Sequence, residues 1–275
     1  TGGFGCLLLQ GTNWMDFEAT KRSYELFMRY VLPAFTGQNK SRAAAFQWMQ
    51  DNAVMFSNIR DEAAAQAMGQ SAGPAGKPDA AIVVIQEIFG VNQHIRAVCD
   101  RFAQEGYVAI APALFDRTQK DFQSGYTPPE IEKARAFIAK PDWDAMLRDT
   151  AAAIKDASAA GPVAVIGFCM GGSIAFLSAT RLSGLACTVA YYGGVIAKFA
   201  DEKPKVPVQM HFGEKDQGIP MSDVEIIKQK RSDCEIYVYP EAGHGFHCDE
   251  RGSYHQGSSK LAWDRTTAFL AKHMK

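Results

Sequence analysis

The sequence has little net charge, no long apolar run and no regular cysteine spacing. Its formal charge of −1 over 275 residues is too small to attract a phosphate backbone, so nucleic acid is not an expected partner. No run approaches the roughly 18 apolar residues of a membrane span, and the opening TGGFGCLLLQG lacks the basic leader of a signal peptide. The six cysteines are scattered, which is typical of free thiols in a reducing compartment. These features predict a cytoplasmic protein, a monomer or homodimer, that acts on a small molecule away from membranes.

The chain divides into two unlike segments. The stretch GQSAGPAGKPD, near residues 69–79, clusters Gly, Pro, Ser and Ala between two periodic regions. Before it, apolar residues over 14–67 recur at helical spacing, with no strand signal. We therefore expect a helical extension over 1–72 and an α/β domain over 73–275.

In the second segment, short β-branched runs alternate with helical stretches. The strands are continuously apolar rather than alternating, which is typical of a mostly parallel sheet buried on both faces by helices. In such sheets, ligands bind at the carboxyl ends of the strands. The predicted strands are 80–86, 107–114, 162–168, 187–193, 206–212 and 235–240.

A candidate nucleophile lies between the third predicted strand and a predicted helix over 171–182. The stretch GFCMGG has the form G-x-nucleophile-x-G, with Cys169 in the place usually held by serine, and it predicts the α/β-hydrolase fold. The turn is so tight that Gly167 and Gly171 must lack bulk. The helix N-terminus favours a thiolate, and the Met170 N–H is expected to face the oxyanion.

An acid and a base follow in the order that this fold requires, each just after a later strand. His244, in YPEAGHGF, is the expected base. Asp216, in GEKDQGIP, is preferred as the acid because the following Gly and Pro fix a turn that can direct its carboxylate inward. Glu214 and Asp223 are rival acids.

Taken together, these motifs resemble those of the dienelactone hydrolases (carboxymethylenebutenolidases) over about residues 80–272. The matching stretches are QEIFG at 86–90 with Asn92 and HIR after it, GFCMGG, AYYGG, the GxxDxxxP turn and GHGF. The resemblance implies a Cys–His–Asp triad and no cofactor or metal. It also implies that Glu87 meets the resting thiol and promotes its ionisation, and that Ile88 supplies a second oxyanion N–H.

The resemblance further implies a small ester or lactone substrate that carries a carboxylate. Arg117 matches the family arginine that holds this carboxylate. A second family arginine, four residues after the histidine, is Cys248 here, and Arg251 is a substitute three residues further on. Tyr192 and Phe89 complete the expected substrate-binding residues, and Tyr191 is the alternative to Tyr192.

The sequence also admits other interpretations. His244, His247, Cys248 and Asp249 form a short run of metal-ligand types, but no second ligand cluster accompanies them. A general carboxylesterase is one alternative function. A redox or binding protein with Cys169 as a sensor thiol is another, although a sensor needs no triad.

The first segment resembles a different family. Residues 11–67, chiefly SYELFMRYVLPAF, are similar to the C-terminal tail of luciferase-like flavin monooxygenases. Because no barrel strands accompany this tail, we expect it to have no activity of its own. A fusion with an upstream monooxygenase that feeds the hydrolase is a further hypothesis.

Overall fold

The computed structural model describes residues 79–274. The predicted extension over 1–72, including the monooxygenase-like stretch over 11–67, lies outside these residues. Within the described range, six strands alternate with seven α-helices. The strands are β1 (Ala81–Ile85), β2 (Val108–Ile110), β3 (Val163–Phe168), β4 (Cys187–Tyr191), β5 (Val208–Gly213) and β6 (Glu235–Tyr239).

The helices connect successive strands, and the last one follows β6. Capping groups fix several of their starts: the Asn92 side chain accepts from the N–H of Ile95, and the Asp142 side chain accepts from the N–H of Ala145. The helices are α1 (Gln93–Gln104), α2 (Pro128–Phe137), α3 (Trp143–Ala157), α4 (Met170–Arg181), α5 (Ile196–Phe199), α6 (Met221–Lys230) and α7 (Gln256–His273).

All six strands pair in parallel, in the order β2-β1-β3-β4-β5-β6. The chain moves outward in one direction from β1 to β2 and in the opposite direction from β3 onward. Parallel crossovers are right-handed, so this reversal sends helices to both faces of the sheet. It also makes the carboxyl ends of β1 and β3 a topological switch point, where ligands bind in open α/β sheets.

The core confirms the predicted doubly covered sheet. Every residue of β1, β3, β4 and β5 is buried. On one face Phe102 of α1 stacks on Trp263 of α7, with ring centroids 4.5 Å apart.

One strand is much shorter than predicted. The sequence favours a strand over 107–114, but β2 ends at Ile110. Pro112 has no N–H to donate to a sheet, and the N–H of Leu114 donates instead to the Gln86 side chain, at 3.2 Å. The prediction was wrong there because apolar composition does not reveal where the backbone hydrogen bonds are made.

Within residues 79–274, no helix combines the length and apolar character needed to cross a membrane. The five cysteines of this range, Cys99, Cys169, Cys187, Cys234 and Cys248, are free thiols.

Candidate functional site

Cys169 lies at the sharp turn between β3 and α4. Its backbone is in the positive-φ region, with φ 55° and ψ −114°, which is strained for a residue with a side chain. The turn brings Gly171 so close to the end of β1 that a Cβ there would lie 2.6 Å from the Gln86 carbonyl oxygen. The Cys169 N–H donates to the Tyr191 carbonyl at 3.0 Å, which fixes the turn to β4.

The predicted base and acid meet at the same edge of the sheet. His244 Nδ1 lies 2.7 Å from Asp216 Oδ2, and the Cys169 side chain is close enough to raise the pKa of His244. The other carboxylate oxygen of Asp216 accepts from the N–H groups of Gly218 and Ile219, at 2.8 and 3.2 Å. The turn after Asp216 therefore holds its carboxylate in place, as the glycine and proline there predicted.

The electrostatics favour a charged imidazole. Burial opposes protonation of His244, but the negative charges of Cys169 and Asp216 and their hydrogen bonds outweigh it and raise the pKa of His244 to about 10. The arrangement thus favours the imidazolium form of His244 across the neutral range. The rival acid Asp223 lies in the first turn of α6.

Two N–H groups are available near the thiol. Met170 is the first residue of α4, so its N–H has no partner within the helix. Ile88 follows β1, and its N–H donates to no backbone carbonyl within residues 79–274.

Glu87 is 1% exposed, at the carboxyl end of β1. Its Oε2 accepts from the Tyr126 hydroxyl at 3.3 Å, and its Oε1 lies 3.2 Å from Arg251 Nη1. The carboxylate is therefore paired with a cation and a hydroxyl.

Arg251 belongs to the loop between β6 and α7 and covers two aromatic rings. Its guanidinium carbon lies 5.6 Å from the centre of Phe89 and 5.5 Å from that of Tyr126, which is cation–π range. Gly245 has a φ of 75°, and a Cβ there would collide with the Arg251 guanidinium. The glycine beside His244 thus makes room for the arginine.

The same region contains polar groups to which the sequence assigned no role. Cys248 donates to the Tyr126 hydroxyl at 3.3 Å, and the side chain of His94 is completely buried. Asn92 and His94 follow the QEIFG stretch, and that motif was the one sequence feature that pointed to them. Tyr126 lies in an irregular loop, and no sequence feature pointed to it. We call five side chains of this region the glutamate cluster: Glu87, His94, Tyr126, Cys248 and Arg251.

The two adjacent tyrosines have different surroundings. Tyr191 packs in the core, with its hydroxyl 2.7 Å from that of Thr266. Tyr192 has a φ of 39° and a ring centre 5.1 Å from that of His244. Its hydroxyl is buried and has no hydrogen-bond partner in the described part of the chain. Burial and the charge of Glu87 raise the pKa of Tyr192, so the phenol stays neutral.

Arg117 is not brought to these residues. Its side chain is 59% exposed and makes a bidentate pair with Asp149 of α3, with Nε–Oδ2 and Nη2–Oδ1 distances of 2.8 and 2.5 Å. Its expected contact with a substrate carboxylate stays a prediction.

Known proteins resemble this chain in sequence and in fold. A family model described as "Dienelactone hydrolase family" matches residues 68–274. A protein of Synechocystis provisionally named carboxymethylenebutenolidase is 38% identical over 213 residues, which cover 70% of this chain and 86% of that protein.

Solved structures give the same fold. The crystal structure of a provisionally named dienelactone hydrolase from Klebsiella pneumoniae is 35% identical, with a TM-score of 0.64, and the match covers 72% of this chain and 89% of that one. A dienelactone hydrolase-like promiscuous phosphotriesterase from metagenomic libraries has a TM-score of 0.60 at 21% identity, covering 73% and 89%. At that identity the likeness shows the fold alone.

Proposed function

The chain belongs to the dienelactone hydrolase family, and on that premise we propose that it hydrolyses a small carboxylic ester or lactone through a thioester on Cys169. The observation that carries the proposal is the alignment of three groups. Cys169 stands at a positive-φ turn, its charge helps to raise the pKa of His244, and His244 Nδ1 lies 2.7 Å from Asp216 Oδ2.

In the first half of the reaction, the Cys169 thiolate adds to the substrate carbonyl carbon. The carbonyl electron pair moves onto oxygen, where the N–H groups of Ile88 and Met170 stabilise the negative charge. The intermediate collapses, the carbon–oxygen bond of the ester breaks, and the His244 imidazolium protonates the leaving oxygen.

In the second half, neutral His244 accepts a proton from water as that water attacks the thioester. The carbon–sulfur bond breaks, the acid is released, and the thiolate–imidazolium pair is restored. Asp216 keeps Nδ1 protonated, so that Nε2 performs both proton transfers.

The substrate class depends on two arginines, and both already have carboxylate partners: Arg117 pairs with Asp149 and Arg251 with Glu87. A carboxylate-bearing lactone must compete with one of these pairs. This observation favours a second candidate, a carboxylesterase of uncharged esters that uses the same triad.

Hydrolysis of a dienelactone and of p-nitrophenyl acetate by the full chain distinguishes these candidates. We expect the lactone to be the better substrate, Cys169→Ala to abolish both activities, and Arg117→Ala to raise KM for the lactone alone. Asp149→Ala is the matched control, because it frees Arg117 and should lower that KM. Turnover of the acetate alone would support the general esterase, and full activity of Cys169→Ala would refute the thioester and favour a sensor or binding role.

A further inference from the structure

We propose that Glu87, His94 and Cys248 form a binding site for a zinc-class cation beside the triad. One carboxylate oxygen, one imidazole nitrogen and one sulfur lie within 4.8 Å of one another, and all three residues are buried. The set shares no residue with the triad. It takes Cys248 from the sequence run around His247 but not His247 itself, whose Nδ1 is taken by the Ser259 hydroxyl at 2.9 Å.

His94 supplies an independent sign of a missing ligand. It is 0% exposed, and neither ring nitrogen has a hydrogen-bond partner within residues 79–274. The Asp249 carboxylate lies 3.7 Å from Nδ1, which is beyond hydrogen-bond distance. An unpaired buried imidazole costs free energy, and coordination of a cation by a ring nitrogen removes that cost.

The donor types select the metal. A thiolate with an imidazole and a carboxylate suits zinc and similar ions rather than magnesium or calcium, which prefer oxygen alone. Zinc bonds of about 2.0–2.3 Å place tetrahedral ligands roughly 3.3–3.8 Å apart, so the donors must approach by up to about 1.5 Å through side-chain rotation. Asp249 or water fills the fourth position.

Binding exchanges partners within the glutamate cluster. The Cys248 S–H bond, now directed to the Tyr126 hydroxyl, breaks; its proton passes to solvent, and the sulfur bonds the cation. The charges of Glu87 and the new thiolate balance those of the dication. The Arg251 side chain, 17% exposed, gives up Glu87 and turns toward solvent.

Cobalt(II) titration of Cys169→Ala tests the site, because that variant lacks the triad thiol. We expect a near-ultraviolet thiolate-to-cobalt charge-transfer band that saturates at one ion per chain and disappears when zinc is added. Cys169→Ala/Cys248→Ser should lose the band, whereas the matched control Cys169→Ala/Cys99→Ser should keep it. A band that survives Cys248→Ser, or no band in Cys169→Ala, overturns the proposal.

A second measurement covers the case in which Cys248→Ser does not fold. The zinc-edge X-ray absorption spectrum of zinc-loaded Cys169→Ala should contain one sulfur at about 2.3 Å together with imidazole scattering. A first shell of oxygen and nitrogen alone contradicts the site.

Discussion

The triad and the glutamate cluster lie on the same edge of the sheet, but they differ in how completely their polar atoms are paired. Asp216 accepts three hydrogen bonds, from His244 and two backbone N–H groups. In the glutamate cluster, both ring nitrogens of His94 lack a partner in the described range. A fully paired group has its geometry set before substrate arrives. An incompletely paired one can change partners, so we assign the covalent chemistry to the first and exchangeable binding to the second.

Replacing His244, the proposed base, should lower activity more than any of the other substitutions. His244→Gln keeps the polarity of a side chain that is 28% exposed, but it cannot transfer protons. We expect kcat for ester hydrolysis to fall by roughly 10²- to 10⁴-fold, because general acid–base catalysis contributes about that much. Chemical denaturation should also show a loss of stability, because the buried Asp216 carboxylate loses its partner, so kcat is measured on protein that circular dichroism shows to be folded. A fall in kcat of less than tenfold would remove His244 from the mechanism.

Replacing the acid should shift the pH dependence. In the wild type the imidazolium lasts until pH about 10, so kcat/KM should decline above that value. Asp216→Asn removes one negative charge that raises the pKa of His244, and the alkaline decline should move to lower pH, with a lower kcat. An unshifted alkaline limb would show that Asp216 does not act on His244.

The raised pKa of His244 also makes the stability of the fold depend on pH. The folded pKa of His244, about 10, lies above the ordinary value of about 6.5. Its contribution to stability is therefore full below pH about 6.5 and is lost as pH rises through the folded pKa. Asp216→Asn should reduce this alkaline loss of stability in urea titrations.

Substitutions in the glutamate cluster should lower the free energy of unfolding more than they lower kcat. Glu87→Gln leaves the Arg251 guanidinium beside an uncharged amide, and we expect a loss of about 2 kcal/mol in the free energy of unfolding, because removal of one member of a buried ion pair leaves the other uncompensated. Urea unfolding of Glu87→Gln, Arg251→Met and the double variant measures the coupling. Additive single effects would mean that the pair does not interact.

A glycine between the two groups should give the smallest effect. Gly245→Ala places a methyl group against the Arg251 guanidinium at a φ of 75°, a conformation that costs about 1 kcal/mol or more for alanine. We expect modest destabilisation and a weaker Glu87–Arg251 pair, with His244 still functional. Gly243→Ala is the control, since a Cβ there has no neighbour closer than 3.9 Å; equal losses in both variants would contradict the steric account.

The turn that carries Cys169 and the meeting of Asp216 with His244 could be predicted from sequence because their signals are local. Cys169 stands in a turn whose glycine spacing is read directly from the chain, and Asp216 and His244 each follow a recognisable strand. The parallel sheet followed from the continuously apolar strands in the same way. Each of these patterns spans only a few neighbouring residues, so it can be recognised in a single sequence without knowledge of long-range contacts.

The glutamate cluster could be predicted only in part because its contacts are long-range. Glu87 and Arg251 are 164 positions apart, and Cys248 and Tyr126 are 122 apart. Tyr126 lies in a loop without periodicity, so no pattern places it beside Glu87. The pairing of Arg117 with Asp149 was likewise invisible, since it joins a loop to a separate helix.

The most direct test of the central claim is to trap the acyl group. The full chain is mixed with p-nitrophenyl acetate, quenched in acid within one turnover and digested for mass spectrometry. The account predicts an acetyl group on the peptide that contains Cys169, removed by hydroxylamine and absent from Cys169→Ala. The account would be contradicted if the ester is hydrolysed but the acetyl group is found on another residue. It would also be contradicted if both proteins hydrolyse the ester and neither carries an acetyl group.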